Sequence, residues 1–200
     1  MRERKHVLNR FEMVRRNRLN FWVLCETQTR GKEATIEIER GAEFSKCGKY
    51  RYRLWRVWGK EPCLCWLMLN PSRATATDDD PTIRRCMDFA QRWGFGGIHV
   101  VNLFALVTPH PAVLKKNGKR VGRRNDLVIQ RYAGWPIVVA WGDQRFARPR
   151  ARQVLSLLHG ARLFCLGTTK DGNPRHPARL SRDARLVRFH PARFDITDSD

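Results

Sequence analysis

Apolar and polar positions alternate through the first third of the chain and then change rhythm. Residues 34–39 (Ala-Thr-Ile-Glu-Ile-Glu) alternate strictly, which predicts a strand with one wet face. Residues 50–58 alternate as well, setting aromatic and aliphatic side chains against Arg51, Arg53 and Arg56, and the turn residues 59–62 follow. From there the apolar runs become continuous. Residues 63–69, 98–104, 137–141 and 162–166 predict four strands buried on both faces.

Helical spacing separates these strands. Asp80 and Pro81 supply an N-cap and a first-turn proline, and Ile83, Cys86, Met87, Ala90 and Trp93 then recur along one face. Further helices are expected near 125–133 and over 149–159, where Val154, Leu155 and Leu158 face inward. Residues after 104 read as a loop containing Pro109 and Pro111. Buried strands alternating with helices predict an α/β domain with a mostly parallel sheet, covered on both sides. It occupies residues 34–200. Residues 1–33 read as a basic helical extension, with Leu8, Phe11, Met13, Val14 and Leu19 among Arg2, Arg4, Lys5, Arg10, Arg15, Arg16 and Arg18. A DNA-clamping arm and a solvated helix are equal readings of that stretch.

Charge narrows the class of partner. The net charge is +20 and the pI near 10.9. Residues 1–60 carry +9, residues 61–110 carry −1 and residues 111–200 carry +12. A near-neutral apolar middle between basic flanks suits a core that meets phosphates from both sides. The expected partner is DNA, with RNA as the alternative. The excess is mostly arginine, whose planar fork suits bidentate phosphate contacts. The six cysteines have no CxxC or zinc-finger spacing, so no metal or cofactor is expected. The start has no apolar signal core and the longest apolar run is too short to cross a bilayer, so a cytoplasmic protein is expected; a monomer is the expected state.

Ligands of parallel sheets sit beyond the carboxyl ends of the strands. The four core strands lead there to Asn70-Pro71 with Asp78, Asp79 and Asp80, to Asn102-Leu103-Phe104, to Trp141-Gly142-Asp143, and to Lys170 through His176. Asn70-Pro71 is also an ordinary turn, and Asp80 is explained by capping alone. Asp78 and Asp79 suit water activation or a cation as well as solvation. Asn102 ends an apolar strand with an amide that needs partners. His176, beside Arg175 and Lys170, is disfavoured in its protonated form.

In order, these motifs resemble those of uracil-DNA glycosylases. Asn70-Pro71 is similar to the Asn-Pro turn of the mismatch-specific branch, although Met68-Leu69 replaces its opening glycine. Asn102 stands where that family reads the flipped base, and Trp141-Gly142 resembles the end of its third strand. His176-Pro177-Ala178-Arg179-Leu180-Ser181 is similar to its His-Pro-Ser-Pro-Leu-Ser loop. The resemblance implies a three-layer α/β/α fold with a central four-stranded sheet over about 62–182. It also implies catalytic roles for Asn70, Asp79 and His176 and base contacts from Asn102, with stacking by Phe104 or Trp141. Arg51, Arg53, Lys170, Arg175 and Arg179 would hold nucleic acid. The strings at 50–56, 69–72, 79–86 and 102–105, with Lys170-Asp171-Gly172-Asn173-Pro174-Arg175-His176-Pro177, further resemble a bacterial and phage family, domain of unknown function 1643.

The expected function is a DNA glycosylase-like hydrolysis of the N-glycosidic bond of a flipped, damaged or modified base, in repair or phage defence. Two alternatives stand beside it. One is a non-catalytic module that recognises a modified base; the other is a nucleotide-modification enzyme, which the charge of +20 disfavours for a free nucleotide.

Overall fold

The computed structural model describes residues 37–191. The helix expected over residues 1–33 lies outside them. Seven strands form one mixed sheet: β1 (Glu39–Phe44), β2 (Arg51–Val57), β3 (Cys63–Met68), β4 (Gly97–Asn102), β5 (Pro136–Val139), β6 (Arg162–Cys165) and β7 (Val187–Arg188). Their order across the sheet is β1-β2-β4-β3-β5-β6-β7. The strands from β4 to β6 pair in parallel, whereas β1, β2 and β7 pair antiparallel at the flanks. The sheet is thus wider and more mixed than the four strands expected. The alternating 50–58 stretch extends the same sheet, and β7 is too short to leave a period.

Alternation along β3 explains why its sequence is continuously apolar. Leu64, Trp66 and Met68 face a core with Ile98, Val100 and Val138, closed by Ile83, Cys86, Phe89 and Ala90 of helix α1 (Pro81–Arg92). Cys65 and Leu67 face the other core. It is closed by Val128 and Ile129 of α3 (Asn125–Gln130) and by Ala151, Val154 and Leu155 of α4 (Arg148–Leu157). A further helix, α2 (Pro111–Lys116), stands where a loop was expected, because Pro111 takes the first helical turn, where its missing N–H goes unmissed.

Of the strand expected over 34–39, residues 34–36 lie outside the described residues, and β1 begins at Glu39 and runs on to Phe44. Gly41 explains why the run past Glu39 does not read as a strand. A Cβ there would lie 2.1 Å from the Trp55 indole, which packs directly over the β1 backbone. Glycine in a strand marks such close approach and hides the strand from a search for alternation.

Asp80 caps α1 as expected, its Oδ1 accepting from the Ile83 N–H at 2.9 Å. Asp80→Ala is expected to lower stability by about 1 kcal/mol in denaturant titration.

His99 on β4 lies against Tyr132 and Trp135, with its Nδ1 2.9 Å from the Tyr132 hydroxyl. Burial, aided by nearby Arg53, depresses its pKa from 6.5 to about 4. The unfolded chain therefore binds the extra proton first. The stability that the neutral ring contributes is present above pH 6.5 and is lost as pH falls toward 4. After allowing for solvent screening the loss is about 1–2 kcal/mol. The thermal midpoint should fall across this window more steeply in the wild type than in His99→Gln.

Candidate functional site

α1 follows β3 on one face of the sheet and α4 follows β5 on the other. The chain therefore leaves the ends of these neighbouring strands in opposite directions, the arrangement at which parallel sheets open a crevice for ligands. Three of the polar residues expected on this rim stand at or over its strand ends.

Asn70 follows β3. Its amide nitrogen donates to the carbonyls of Pro71 (2.8 Å) and Thr108 (2.7 Å). Two carbonyl acceptors demand the NH2 group, so the amide orientation is fixed and Oδ1 is left to accept. The Thr108 N–H donates back to the Pro71 carbonyl at 3.0 Å, tying the loop after β3 to the loop after β4.

Asn102 ends β4 in register with Met68 of β3. It is 1% exposed, and among the described residues its Nδ2 has no hydrogen-bond partner. An unpaired buried amide donor costs about 1–3 kcal/mol, which calls for an explanation. The backbone around it is fully engaged. The Asn102 carbonyl accepts from Asn125 Nδ2 at 2.9 Å, and the Leu103 carbonyl accepts from Asn125 Nδ2 (3.1 Å) and Arg150 Nε (2.9 Å). The strand end is clamped while its side chain stays unpaired.

His176 lies over the end of β5. The Gly142 N–H donates to the Pro174 carbonyl at 3.0 Å, and a Cβ on Gly142 (φ +78°) would lie 3.5 Å from His176 Cβ. The Ala178 N–H donates to His176 Nδ1 at 3.3 Å, so Nδ1 is the bare nitrogen and Nε2 carries the proton. Burial lowers its pKa, with Arg179 adding to the effect and Asp80 opposing it. His176 is accordingly a neutral N–H donor near pH 7. β3 lies between β4, which ends in Asn102, and β5, over whose end His176 stands.

Other expected residues lie elsewhere. Asp79 is not free to hold water: Arg56 Nε takes one carboxylate oxygen at 2.7 Å and Arg40 takes the other. Asp78 is held by Thr75 and Thr77, whose hydroxyls lower its pKa. Phe104 and Trp141 are 1% and 2% exposed, packed on Phe146 and Phe189 respectively, so neither offers a ring face to a base. Arg51 is buried and donates to the Ala74 carbonyl; burial lowers its pKa to about 10. Arg53 pairs with Glu43 at 3.0 Å and lies over Trp55. The three arginines of β2 therefore do not form one wet face. Lys170, Arg175 and Arg179 are exposed, as phosphate contacts require.

Two supporting residues had no sequence signal beyond that of ordinary turn or helix-start positions. Asn125 is the β4 clamp. Asn173 is fully buried and donates to Asp143 Oδ1 at 2.6 Å, which fixes the loop carrying His176 to the end of β5.

No group of three or more metal-ligating side chains occurs among the described residues, and no described helix is long and apolar enough to cross a membrane. A cleft of about 640 Å³ lies away from the rim, between the end of α4 and the start of β6. No curated protein and no solved structure matches the chain. The family model described as protein of unknown function DUF1643 matches residues 51–178, from the first residue of β2 into the turn that His176 opens. With well over half its length so matched, the chain belongs to the DUF1643 family.

Proposed function

We propose that this protein binds nucleic acid and hydrolyses the N-glycosidic bond of a nucleotide flipped into the crevice beyond β3 and β5. The observation that carries the reading is the pairing of two unspent donors on one rim, Asn102 Nδ2 and the neutral His176 Nε2–H. Two such donors suit acceptor atoms on the polar edge of a base, and they strengthen as negative charge develops on a departing one. Asn70 Oδ1 would accept from a water and aim its oxygen at the sugar C1′. The C1′–N bond breaks, its electron pair leaves with the base, the water oxygen bonds C1′, and the water proton passes to the base. Asn102 is buried, so the segment covering it must move before a base reaches it. Extrusion of the base is required because the bond is inaccessible within a stack. The exposed Lys170, Arg175 and Arg179 would meet flanking phosphates. The likeness of the Asn70-Pro71, Asn102 and His176-Pro177 motifs to uracil-DNA glycosylases supports this reading, as does the placement of helices on both faces of the sheet.

One observation favours a second reading, a module that recognises a modified base without cleaving it. Both carboxylate oxygens of Asp79 are engaged by arginines, so the acid expected beside Asn70 is not available to a water.

Base release separates the two. Wild type and Asn70→Ala are incubated with oligonucleotides carrying uracil, hypoxanthine, 5-hydroxymethyl and glucosylated pyrimidines, and free base is read by mass spectrometry. Release by the wild type alone is the expected result. Tight binding without release from any substrate selects the module.

A further inference from the structure

We propose that the cleft between α2 and the 3-10 turn Arg145–Ala147 is a second nucleobase site, where an unpaired base stacks on Phe146 while Lys115 and Arg145 hold its phosphates. The inference rests on the nucleic-acid reading above but uses none of the residues assigned to chemistry there.

The cleft has a volume of about 320 Å³ and is lined by Pro111, Ala112, Lys115, Gln144, Arg145 and Phe146. That volume is at the small end for ligand sites, suited to one flat ring system and not a larger ligand. Phe146 is built as a rigid platform. Its ring stacks on the buried Phe104, with centroids 6.1 Å apart and planes 21° apart. The Arg120 guanidinium lies over both rings, 4.9 Å from the Phe104 centroid and 5.6 Å from that of Phe146. A half-buried ring fixed in this way loses little freedom when a base stacks on it. Gln144 adds an amide that can donate to or accept from any base edge.

The electrostatics select the ligand class. Residues 105–124 contain six lysines and arginines and no acid. Lys115, Lys116, Lys119 and Arg123 are exposed, and α2 also presents Val113, 49% exposed, beside them. Arg145 pairs with Asp171 only at 3.4 Å, between two exposed groups, which a phosphate readily replaces. Aromatic platform plus basic groove is the pattern of sequence-tolerant single-strand binding. An acidic peptide would satisfy the charges but leave the fixed ring and the amide without a role.

Position supports the same ligand. α2 follows β4 and the turn at Arg145 follows β5, so the cleft stands at the same carboxyl end of the sheet as Asn102 and His176.

The test uses the full chain and a fluorescent single-stranded oligonucleotide, with a duplex as control. Ala112→Trp fills the cleft from an exposed position, and Phe146→Leu removes the platform while keeping bulk against Phe104. Each is expected to weaken single-strand binding about 5- to 30-fold, with a smaller effect on the duplex. A 5-iodouracil-substituted strand should photo-cross-link to Phe146. Unchanged affinity in both variants, with no cross-link in the cleft, overturns the inference while wild-type binding still upholds the nucleic-acid reading. Equal competition by a polyglutamate peptide, insensitive to Phe146→Leu, also overturns it. Binding of no oligonucleotide by the wild type removes both.

Discussion

Arg56→Ala is expected to destabilise the protein by about 3–5 kcal/mol, the scale found when one partner of a buried ion pair is removed. Arg56 is fully buried near the end of β2 and every one of its five donors is used. Nε meets Asp79 Oδ1 at 2.7 Å. One terminal nitrogen reaches the carbonyls of Trp55 (2.7 Å) and Gly41 (3.3 Å), and the other those of Thr75 (3.0 Å) and Asp78 (3.4 Å). One side chain thus fastens β1, β2 and the loop that delivers Asp80 to the start of α1. Alanine would leave Asp79 with Arg40 alone and several carbonyls unpaired beneath the surface. Since whole domains are stable by only about 5–15 kcal/mol, the loss should appear as a large drop in the urea midpoint. Arg56→Lys, with three donors and no planar fork, should recover only part of it. Arg56→Met with Asp79→Leu should be more stable than Arg56→Ala, because no half-paired carboxylate is then held beneath the surface and the exposed Arg40 loses its partner at little cost. A loss below about 1 kcal/mol would mean that water replaces the guanidinium, and this account of the loop would fail.

The same residue marks the limit of what a sequence pattern discloses. Alternation across 50–58 located β2 correctly but not the destinations of its arginines. Pairing skips Tyr52 between Glu43↔Arg53 and Phe44↔Arg51, which breaks the regular exchange of faces. Arg51 and Arg56 then serve the loop at 74–79, whereas Arg53 serves Glu43. An arginine reads as a surface residue unless its partners are known, and those partners lie about twenty residues away in the chain. The core was more legible. Continuous apolar runs located β3, β4, β5 and β6 to within a residue or two, because burial on both faces leaves few polar positions along a strand, His99 of β4 being one. The ends of those strands gave Asn70, Asn102 and His176. Phe104 and Trp141 follow the same strands yet turn inward, since which face a residue takes just past a strand depends on where the strand stops. β7 was illegible for a different reason: two residues carry no period.

His176→Ala is expected to slow base release by about 10²–10³-fold, the usual effect of removing one preorganised donor to developing negative charge, while oligonucleotide affinity changes only a few-fold. The argument rests on the tautomer. With Nδ1 accepting from the Ala178 N–H, the ring can present only Nε2–H to the crevice, and Asn173 and the Gly142–Pro174 hydrogen bond hold the loop that aims it. His176→Gln, whose terminal amide reaches about as far as Nε2, should restore part of the rate. The pH profile supplies a second readout. The pKa of His176 is lowered in the fold, so the ring stays neutral above the ordinary value of 6.5 and somewhat below it. Release should be level above about pH 6.5 and decline once the ring protonates, because a second N–H on Nδ1 would then oppose the Ala178 N–H, donor against donor. The linkage has the same sign. The unfolded chain takes up this proton first, so the stability that the neutral ring contributes is lost as pH falls from 6.5 through the lowered value. The Gln variant, with nothing to titrate there, should lack the acid limb. A His176→Ala protein that releases base at the wild-type rate would take the histidine out of the chemistry and leave the rim as a binding surface.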